Sequence, residues 1–408
     1  DFLVPSRLQP GKFYALPQSP QTYKQILMVS GLDRYFQIVK CFRDEDLRAD
    51  RQPEFTQVDV EMSFVDEDDV LNITEGVMSR LFEELKGVKI PSPFPCLTYK
   101  ESMERYGSDK PDLRFGLELV NVSEVVADSS FRIFSENVRN GGIVSGLVVP
   151  DGASLPRNQL DNLVDLSKSF GAQGLFYLKA TKNGIESPLE KHLSSETLNA
   201  IRVKMGGKVG DLYLLVADKW GTACSVLGSL RLELANRLKL IPENSTYYRL
   251  MWVTHFPLLE YSQEEKRYVA VRHPFTSPKL EDLELLEKRP EAVHTRSYDL
   301  VLNGTEIASG SIRIHDPELQ SKVFTRLGIA PQEAKKKFGF LLEAFRYGAP
   351  PHGGIAFGFD RIVMLLQGEK SIRDVIAFPK TSSAMSLMDD SPSEVDPKQL
   401  KELHIKIV

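Results

Sequence analysis

Residues 33–64 predict two β-strands joined by a densely charged loop. The flanking segments read DRYFQIVKC and TQVDVEMSF, and the loop between them reads FRDEDLRADRQPEF. Because side chains alternate along a strand, Gln57, Asp59 and Glu61 share one face of the second strand, opposite an apolar face. Two interpretations fit this polar face, a solvated sheet surface and the floor of a polar pocket. The charged loop also has two interpretations. It is either a solvated turn with internal ion pairs or a loop whose charged side chains contact a binding partner.

Length and composition predict a globular protein with more than one domain. The chain has 408 residues, of which 42% are hydrophobic and 26% charged, and a single core rarely serves a chain of this length. No apolar run approaches the roughly 20 residues of a membrane span. The first residues lack the basic and apolar pattern of a signal peptide. We therefore expect no membrane partner.

The cysteines and the net charge bear on the cellular compartment and on the class of binding partner. Cys41, Cys96 and Cys224 lie far apart, so they predict neither a metal-ligand pair nor a disulfide framework. This pattern fits a reducing compartment, and we expect the cytoplasm or else the matrix of an organelle. The formal net charge of −5 does not indicate nucleic-acid binding, although it leaves room for a local basic groove.

The remaining chain shows one long helix and a change of pattern. A helix is predicted at residues 66–87, because Val70, Ile73 and Val77 fall on one apolar stripe between leading aspartates and a final glycine. From about residue 110 to 244, short strands alternate with helices, which predicts a compact inserted α/β domain. Strands return after it, and HGGIAFG predicts a glycine-alternating strand followed by a helix. The C-terminal tail is predicted to be irregular.

Two separated segments, each with an arginine, resemble motifs 2 and 3 of the class II aminoacyl-tRNA synthetases. They are CFRDE with the RQPEF that follows it, and GIAFGFDRIVMLL. The segments RHPFTSP, YDLVLNGTEIASGSIRIH and YGAPPHGGIAFGFDR are similar to the aspartate-specific members of bacterial and organellar type. The resemblance covers essentially the whole chain. It implies an α+β protein with the class II catalytic fold, an antiparallel sheet flanked by helices, and an inserted, GAD-like α/β domain.

The resemblance also implies a domain division and a missing part. The expected divisions are a first part of the catalytic domain with motif 2 at 1–110, the inserted domain at 111–245, a second part with motif 3 at 246–370 and a C-terminal extension at 371–408. In the family, a barrel that reads the anticodon and then motif 1 precede this region. We therefore expect the chain to lack both, and we expect a homodimer for the full-length protein.

The implied activity is that of an aspartate–tRNA ligase. Such an enzyme activates L-aspartate with ATP and Mg²⁺ to aspartyl-adenylate and transfers it to the 3′ end of tRNA(Asp); whether tRNA(Asn) is also charged stays open. One alternative is a tRNA-independent paralogue of the aspartate–ammonia ligase type, and another is a non-catalytic RNA-binding relative. The inserted domain argues against the first. The joint presence of Arg43, Glu306 and Arg361 argues against the second.

Activation of an amino acid brings a carboxylate up to a polyphosphate. The attacking group is already an anion, so cations that neutralise the phosphates are needed rather than a general base. Arginine suits this role because its planar guanidinium bonds two oxygens at once. The resemblance implies Arg43 and Arg361 as the catalytic residues. The ATP-binding residues that it implies are Arg43, Glu45, Arg51, Phe55, His273, Glu306 and Arg361.

Selection of aspartate is an electrostatic problem, because asparagine has nearly the same shape. The resemblance implies that Lys24 and Arg313 bind the side-chain carboxylate of aspartate. The full set that it implies for aspartate is Ser19, Gln21, Lys24, Asp59, His273 and Arg313. The metal ligands that it implies are Asp299, Glu306 and Ser309, and the contacts to the tRNA acceptor end are Arg48 and Asp50.

Two positions depart from the family pattern. Arg272 in RHPF stands where bacterial relatives usually carry histidine, and an arginine does not lose its proton near neutral pH. Ser309 in EIASGS stands where the usual run is GGGS. Its hydroxyl is either an additional metal ligand or only a small side chain in the place of a glycine.

Overall fold

The computed structural model describes residues 1–44, 50–241 and 247–408. Its strands are β1 (Leu3–Pro5), β2 (Phe13–Ala15), β3 (Arg34–Phe42), β4 (Glu54–Ser63), β5 (Cys96–Thr98), β6 (Val120–Asn121), β7 (Ile143–Val149), β8 (Phe176–Thr181), β9 (Gly184–Glu186), β10 (Leu212–Asp218), β11 (Leu250–Thr254), β12 (Leu259–Ser262), β13 (Arg267–Ala270), β14 (Ser297–Leu302), β15 (Thr305–Ile312) and β16 (His352–Gly358). Its helices are α1 (Gln21–Val29), α2 (Glu67–Lys86), α3 (Tyr99–Tyr106), α4 (Ser123–Val126), α5 (Arg132–Arg139), α6 (Arg157–Ser169), α7 (Ser195–Met205), α8 (Trp220–Arg237), α9 (Leu285–Lys288), α10 (Pro317–Arg326), α11 (Pro331–Phe345), α12 (Phe359–Gln367) and α13 (Pro397–Glu402). Within these described ranges, no helix has both the length and the apolar character to cross a membrane.

The chain divides into two compact units. The first comprises Asp1–Phe94, Thr254–Leu300 and Glu306–Val408, and the second comprises Pro95–Val253 and Val301–Thr305. The second unit extends beyond the predicted insertion at 111–245 in both directions and also takes in the turn between β14 and β15. The predicted C-terminal extension at 371–408 lies within the first unit. The four-part division by residue number stays a prediction.

In the first unit, the sheet runs in the order β3–β4–β16–β15–β14. β3 pairs with β4, β4 with β16, and β16 with β15, and all three pairings are antiparallel. Helices α1 and α12 pack against β4, and α2 packs against β16. Antiparallel strands flanked by helices confirm the predicted fold class.

Two glycines allow the central strands of this sheet to pack closely. A methyl group on Gly354 of β16 would lie 2.1 Å from the carbonyl oxygen of Val60 and 2.2 Å from Oε2 of Glu61. One on Gly310 of β15 would lie 2.2 Å from the carbonyl oxygen of Gly354. No carbon atom tolerates such contacts. The glycine-alternating run of β16 therefore gives the buried carboxylate of Glu61 the room that it occupies.

Gly354→Ala is expected to lower the free energy of unfolding by about 3 kcal/mol, the upper end of the cost of overpacking. The colliding atom is a strand carbonyl, which cannot move without breaking the ladder between β4 and β16. Urea unfolding measures the change. The matched control is Gly76→Ala on α2, where an added methyl group meets nothing within 4 Å, and where stability should stay equal or rise by up to about 1 kcal/mol. Equal stabilities for Gly354→Ala and the wild type would contradict the argument.

Helix α2 lies where the sequence predicts it but buries a different face. Its N-terminus is capped by the side chain of Asp66, which accepts from the backbone N–H of Asp69, and Gly87 ends it with a φ of 65°. The predicted stripe is confirmed at Val70 and wrong beyond it, because Ile73 and Val77 are about half exposed. The side chains that the helix buries are Val70, Thr74, Glu75, Met78 and Phe82. Two apolar stripes lie side by side on this helix, and only its packing partner selects one of them.

The second unit contains a five-stranded sheet in the order β6–β7–β10–β8–β9, and each neighbouring pair is antiparallel. Helices α6 and α8 pack on one face around Leu147 and Leu214. Helices α4, α5 and α7 pack on the other around Phe134 and Leu215. The alternation of strands and helices is the one predicted for this region. It does not give a parallel sheet, because β10 lies between β7 and β8.

The C-terminal tail contains one short helix, so the prediction of an irregular tail is wrong in this part. The side chain of Asp396 accepts from the backbone N–H of Lys398, and Pro397 takes the first helical position of α13. An aspartate cap followed by proline is a standard helix start. This local signal predicts the start of α13.

Candidate active site

A polar cavity of about 430 Å³ lies in the first unit. The predicted site residues that line it are Ser19, Gln21, Lys24, Arg43, Asp50, Arg51, Phe55, Asp59, His273, Glu306, Ser309, Arg313 and Arg361. Asp299 is not on the lining and is buried. Glu45 and Arg48 lie outside the described residues. The structure therefore gathers residues that are more than 300 positions apart in the chain around one cavity.

Strand β4 forms part of the wall through the alternation that the sequence shows. Phe55, Gln57 and Asp59 line the cavity, and Glu61 lies next along the same face, fully buried. Across the sheet, Gln57 is the register partner of Gly358 and Asp59 that of Ala356. Small residues on β16 keep this side of the sheet open for a ligand.

Four buried charged side chains form an ion cluster, which consists of Lys24, Asp59, Glu61 and Arg313. Nζ of Lys24 contacts a carboxylate oxygen of Asp59 and lies 2.9 Å from Oε2 of Glu61. Arg313 donates to both carboxylate oxygens of Glu61, at 2.9 and 3.0 Å. No side chain of the ion cluster is more than 3% exposed. Two cations and two anions balance one another, which buried charges require.

The two carboxylates of the ion cluster differ in how firmly they are held. Burial alone would raise the pKa of Glu61, but Arg313 and Lys24 more than offset it and lower this pKa from 4.5 to about 2. Burial raises the pKa of Asp59, and Lys24 opposes the rise only in part. Glu61 is paired with both cations of the ion cluster, whereas Asp59 is paired with Lys24.

His273 lies against the ion cluster. Nη1 of Arg313 is 2.8 Å from Nε2 of His273. Burial, together with the positive charges of Arg313 and Lys24, holds the pKa of His273 well below 6.5. The imidazole is therefore neutral at neutral pH and accepts from the arginine. It brings no charge to a phosphate and contributes there only by hydrogen bonding.

The arginines predicted to bind the phosphates line the same cavity. The guanidinium carbon of Arg43 lies 5.0 Å from the centroid of the Phe55 ring. Nη1 of Arg361, in the first turn of α12, donates to the carbonyl oxygen of Glu306 at 2.9 Å. Arg51 also faces the cavity. Of the two interpretations of the charged loop and polar strand, this geometry favours a pocket for a negatively charged ligand.

Asp50 contacts Arg361 in the structure, and the predicted contact of Asp50 with tRNA stays a prediction. Its Oδ2 lies 3.3 Å from Nη2 of Arg361, and its carbonyl oxygen lies 3.4 Å from the same nitrogen. The pair is partly exposed, so it contributes little to stability. A carboxylate here uses the guanidinium donors that a phosphate oxygen would use. A phosphate that reaches Arg361 would compete with Asp50 for these donors.

Asp299 and Glu306 form a carboxylate pair on neighbouring strands, with Ser309 on the same cavity wall. Burial raises the pKa of Asp299, and the charge of Glu306 acts in the same direction, whereas Arg272 opposes both. Arg272 contacts Oδ2 of Asp299 through Nη2. Oδ1 of Asp299 is buried and has no hydrogen-bond partner in the described part of the chain.

This carboxylate pair fits Mg²⁺ bound together with a nucleotide. No group of three or more histidine, cysteine, aspartate or glutamate side chains that could hold a metal occurs in the described ranges. Magnesium, however, commonly uses only one or two carboxylates and takes its other ligands from phosphates and water. The unpartnered oxygen of Asp299 is the kind of ligand that such an ion needs. Glu306 supplies the second carboxylate.

Two contributions to the site were missed by sequence reasoning. Glu61 was placed on the polar face of β4 but was given no role, although it holds both cations of the ion cluster. The alternation of β4 was a sufficient signal for it. Arg272 was noticed only as a departure from the family pattern, and its contact with Asp299 joins segments that no local pattern connects.

Comparisons with known proteins agree with the predicted resemblance. A sequence profile described as tRNA synthetases class II (D, K and N) matches residues 1–382. The aspartate–tRNA(Asp/Asn) ligase of Caldanaerobacter subterraneus subsp. tengcongensis is 57% identical over 407 residues, which is 100% of this chain and 68% of that protein. The aspartate–tRNA ligase of Clostridium perfringens is 53% identical over 408 residues, again 100% of this chain and 68% of that protein.

A solved structure of aspartyl tRNA synthetase from Entamoeba histolytica has a TM-score of 0.46 and 20% identity, and covers 91% of this chain and 52% of that one. The family assignment rests on the sequence matches. Because the profile spans most of the chain and these relatives share more than half of its residues, the chain belongs to the class II aminoacyl-tRNA synthetases, in the family of the aspartate–tRNA ligases.

Proposed function

We propose that this chain activates L-aspartate with ATP to aspartyl-adenylate and transfers the aspartyl group to the 3′ end of tRNA(Asp). The observation that carries the proposal is that one cavity is lined both by the buried cations Lys24 and Arg313 and by the arginines Arg43 and Arg361. The first pair suits an acidic metabolite, and the second suits a polyphosphate. The names of the relatives supply the same substrates.

Aspartate would enter by exchanging partners with the ion cluster. Its side-chain carboxylate takes a place beside Lys24 and Arg313, and its ammonium group pairs with Asp59, which is then free of Lys24. Charge stays balanced within the ion cluster, because the ammonium group and the side-chain carboxylate of aspartate add one cation and one anion, while its second carboxylate faces Arg43. Asparagine brings a neutral amide instead and leaves two buried cations short of a partner, which rejects it more strongly than shape would.

In the activation step, a carboxylate oxygen of aspartate attacks the α-phosphorus of ATP. The bond from this phosphorus to the bridging oxygen of the β-phosphate breaks, and pyrophosphate leaves. Arg43 neutralises charge at the α-phosphate and the attacking carboxylate, and Arg361 binds the γ-phosphate after displacing Asp50. Phe55 supplies a face on which the adenine stacks. A hydroxyl of the terminal tRNA ribose then takes the aspartyl group, and AMP is released.

The remaining assignments concern metal, partners and setting. Asp299 and Glu306, with Ser309 beside them, would hold Mg²⁺, which would neutralise charge on the phosphates.

Phe36 and Ile38 are 74% and 65% exposed on β3, the outermost strand of the sheet. Exposed apolar side chains on an edge strand favour association, and we assign them to a homodimer, which sedimentation velocity tests. We place the protein in the cytoplasm.

Aspartate-dependent ATP–pyrophosphate exchange tests the proposed function. The chain should catalyse exchange with L-aspartate, and asparagine should be at least about 10²-fold poorer, because it leaves buried groups unpaired. Addition of tRNA(Asp) should then yield aspartyl-tRNA. Exchange that needs no aspartate, or an adenylate that reacts with ammonia but never with tRNA, would overturn the proposal.

A further inference from the structure

Arg272 binds one of the two carboxylates that the proposed function assigns to the metal. Its Nη2 donates to Oδ2 of Asp299, and its guanidinium carbon lies 4.0 Å from the centroid of the Phe256 ring. The side chain of Asp299 is 3% exposed, and that of Arg272 is 21% exposed and lines the cavity. A guanidinium held between a buried carboxylate and an aromatic face has a fixed position and a permanent charge.

This fixed charge changes what a metal ion meets at the carboxylate pair. Asp299 and Glu306 together carry two negative charges, and Arg272 neutralises one of them. A divalent cation that arrives alone therefore finds a single net negative charge and a cation already in contact with Asp299. A metal ion that reaches Asp299 would lie close to the guanidinium of Arg272. Like charges repel strongly where little solvent separates them. The pair is consequently a poorer metal site than two free carboxylates would be.

Binding of ATP makes the net charge around Asp299 and Glu306 more negative and so favours a metal ion there. Its phosphates bring several negative charges to the cavity and offer oxygen ligands of their own, which magnesium prefers to combine with one or two carboxylates. Oδ1 of Asp299, which has no hydrogen-bond partner among the described residues, remains available to the incoming ion while Oδ2 stays on Arg272. We propose that Arg272 is a positioning residue that makes divalent-metal binding at Asp299 and Glu306 depend on nucleotide. The proposal rests on the proposed function, because that function assigns the metal to this pair.

The test uses Mn²⁺ as the probe and contains no nucleotide. The measurement is made at a slightly alkaline pH. The electron paramagnetic resonance signal of free Mn²⁺ then reports how much metal the ATP-free protein binds. The wild type should bind Mn²⁺ weakly at this pair. Arg272→Met, which removes the charge but keeps an apolar stem beside Phe256, should bind it at least about tenfold more tightly. Arg272→Lys keeps the charge and should resemble the wild type.

A second substitution identifies the site that gains affinity. In Arg272→Met combined with Glu306→Gln, the gain should disappear, because one of the two carboxylates is then neutral. Arg272→Gln serves as a second neutral variant if Arg272→Met does not fold. Wild-type protein that binds Mn²⁺ as tightly as the neutral variants overturns the inference. A gain that survives Glu306→Gln also overturns it, because the metal then binds elsewhere.

The inference and the proposed function fail in different experiments. Aspartate-dependent exchange in the wild type tests the function and makes no use of Arg272 variants. Mn²⁺ binding to ATP-free protein involves neither aspartate nor turnover. If the wild type catalyses exchange but also binds Mn²⁺ tightly without nucleotide, only the proposed role of Arg272 is ruled out. Absence of exchange with the expected Mn²⁺ pattern leaves a metal site that Arg272 weakens in the absence of nucleotide, in a protein whose reaction is wrongly assigned.

Discussion

Replacing Arg43 by alanine is expected to lower the rate of aspartate-dependent ATP–pyrophosphate exchange by about 10²–10³-fold, the usual cost of one donor that stabilises transition-state charge. Arg43 lines the cavity, and the contact described for it is with the Phe55 ring. Its removal therefore takes away positive charge from the cavity, and among the described residues it breaks no buried ion pair. The loss should appear mainly in the rate at saturating substrates, because charge develops during the transfer. Isotope exchange at saturating ATP and aspartate measures it.

The matched control removes a guanidinium that lies far from the reaction. Arg157, on α6, is 78% exposed and pairs with Asp161 one helical turn away. Arg157→Ala should leave exchange unchanged. Arg157→Ala should also leave the unfolding midpoint unchanged, since surface arginines contribute little to stability, and Arg43→Ala should remain folded. An Arg43→Ala enzyme as fast as the wild type would contradict its role in the transition state.

Replacing Glu61 by glutamine is expected to lower the free energy of unfolding by about 3–5 kcal/mol, as for other buried ion pairs that lose one partner. Glu61 neutralises both Lys24 and Arg313 in the ion cluster. The amide has nearly the same shape but leaves these cations with too little negative charge. Denaturant unfolding measures the loss, and the same variant should bind aspartate poorly because its cations are no longer held in place.

A surface pair provides the control for Glu61. Glu84 on α2 bonds to Arg80, and both side chains are well exposed, so Glu84→Gln should change the free energy of unfolding by less than about 1 kcal/mol.

The pH dependence of stability gives an independent check on Glu61. The pKa of Glu61 is lowered from 4.5 to about 2 on folding, so its charge stabilises the protein fully above 4.5 and loses this effect as the pH falls towards 2. The difference between the wild type and Glu61→Gln should therefore shrink below pH 4.5. A difference that stays constant down to about pH 3 would contradict the assignment.

Local signals predicted individual elements well. The aspartates before α2 and Gly87 after it place its ends correctly, because caps act within one turn. The alternation of Gln57 and Asp59 predicted a polar face on β4, since side chains of a strand alternate whatever surrounds it. These two predictions depend on chemistry carried by neighbouring residues, whereas the antiparallel fold class was implied by the resemblance of the motif segments to a known family.

The errors arose where distant segments meet. Ile73 and Val77 were predicted to be buried, yet α2 packs through Met78 and Phe82 instead, because its two apolar stripes differ only in what lies opposite. The contact between Asp50 and Arg361 was not predicted either, and it joins residues more than 300 positions apart in the chain. No pattern of one short segment contains such a contact.

Residue order alone therefore settled which chemical groups this protein carries and on which face of each strand they lie. Tertiary structure alone decided how those groups are partnered: Glu61 with two cations, Asp59 with Lys24, and Arg272 with Asp299. The physical reason is that alternation and capping act over a few bonds, whereas charge pairing and burial act through space between segments that folding brings together.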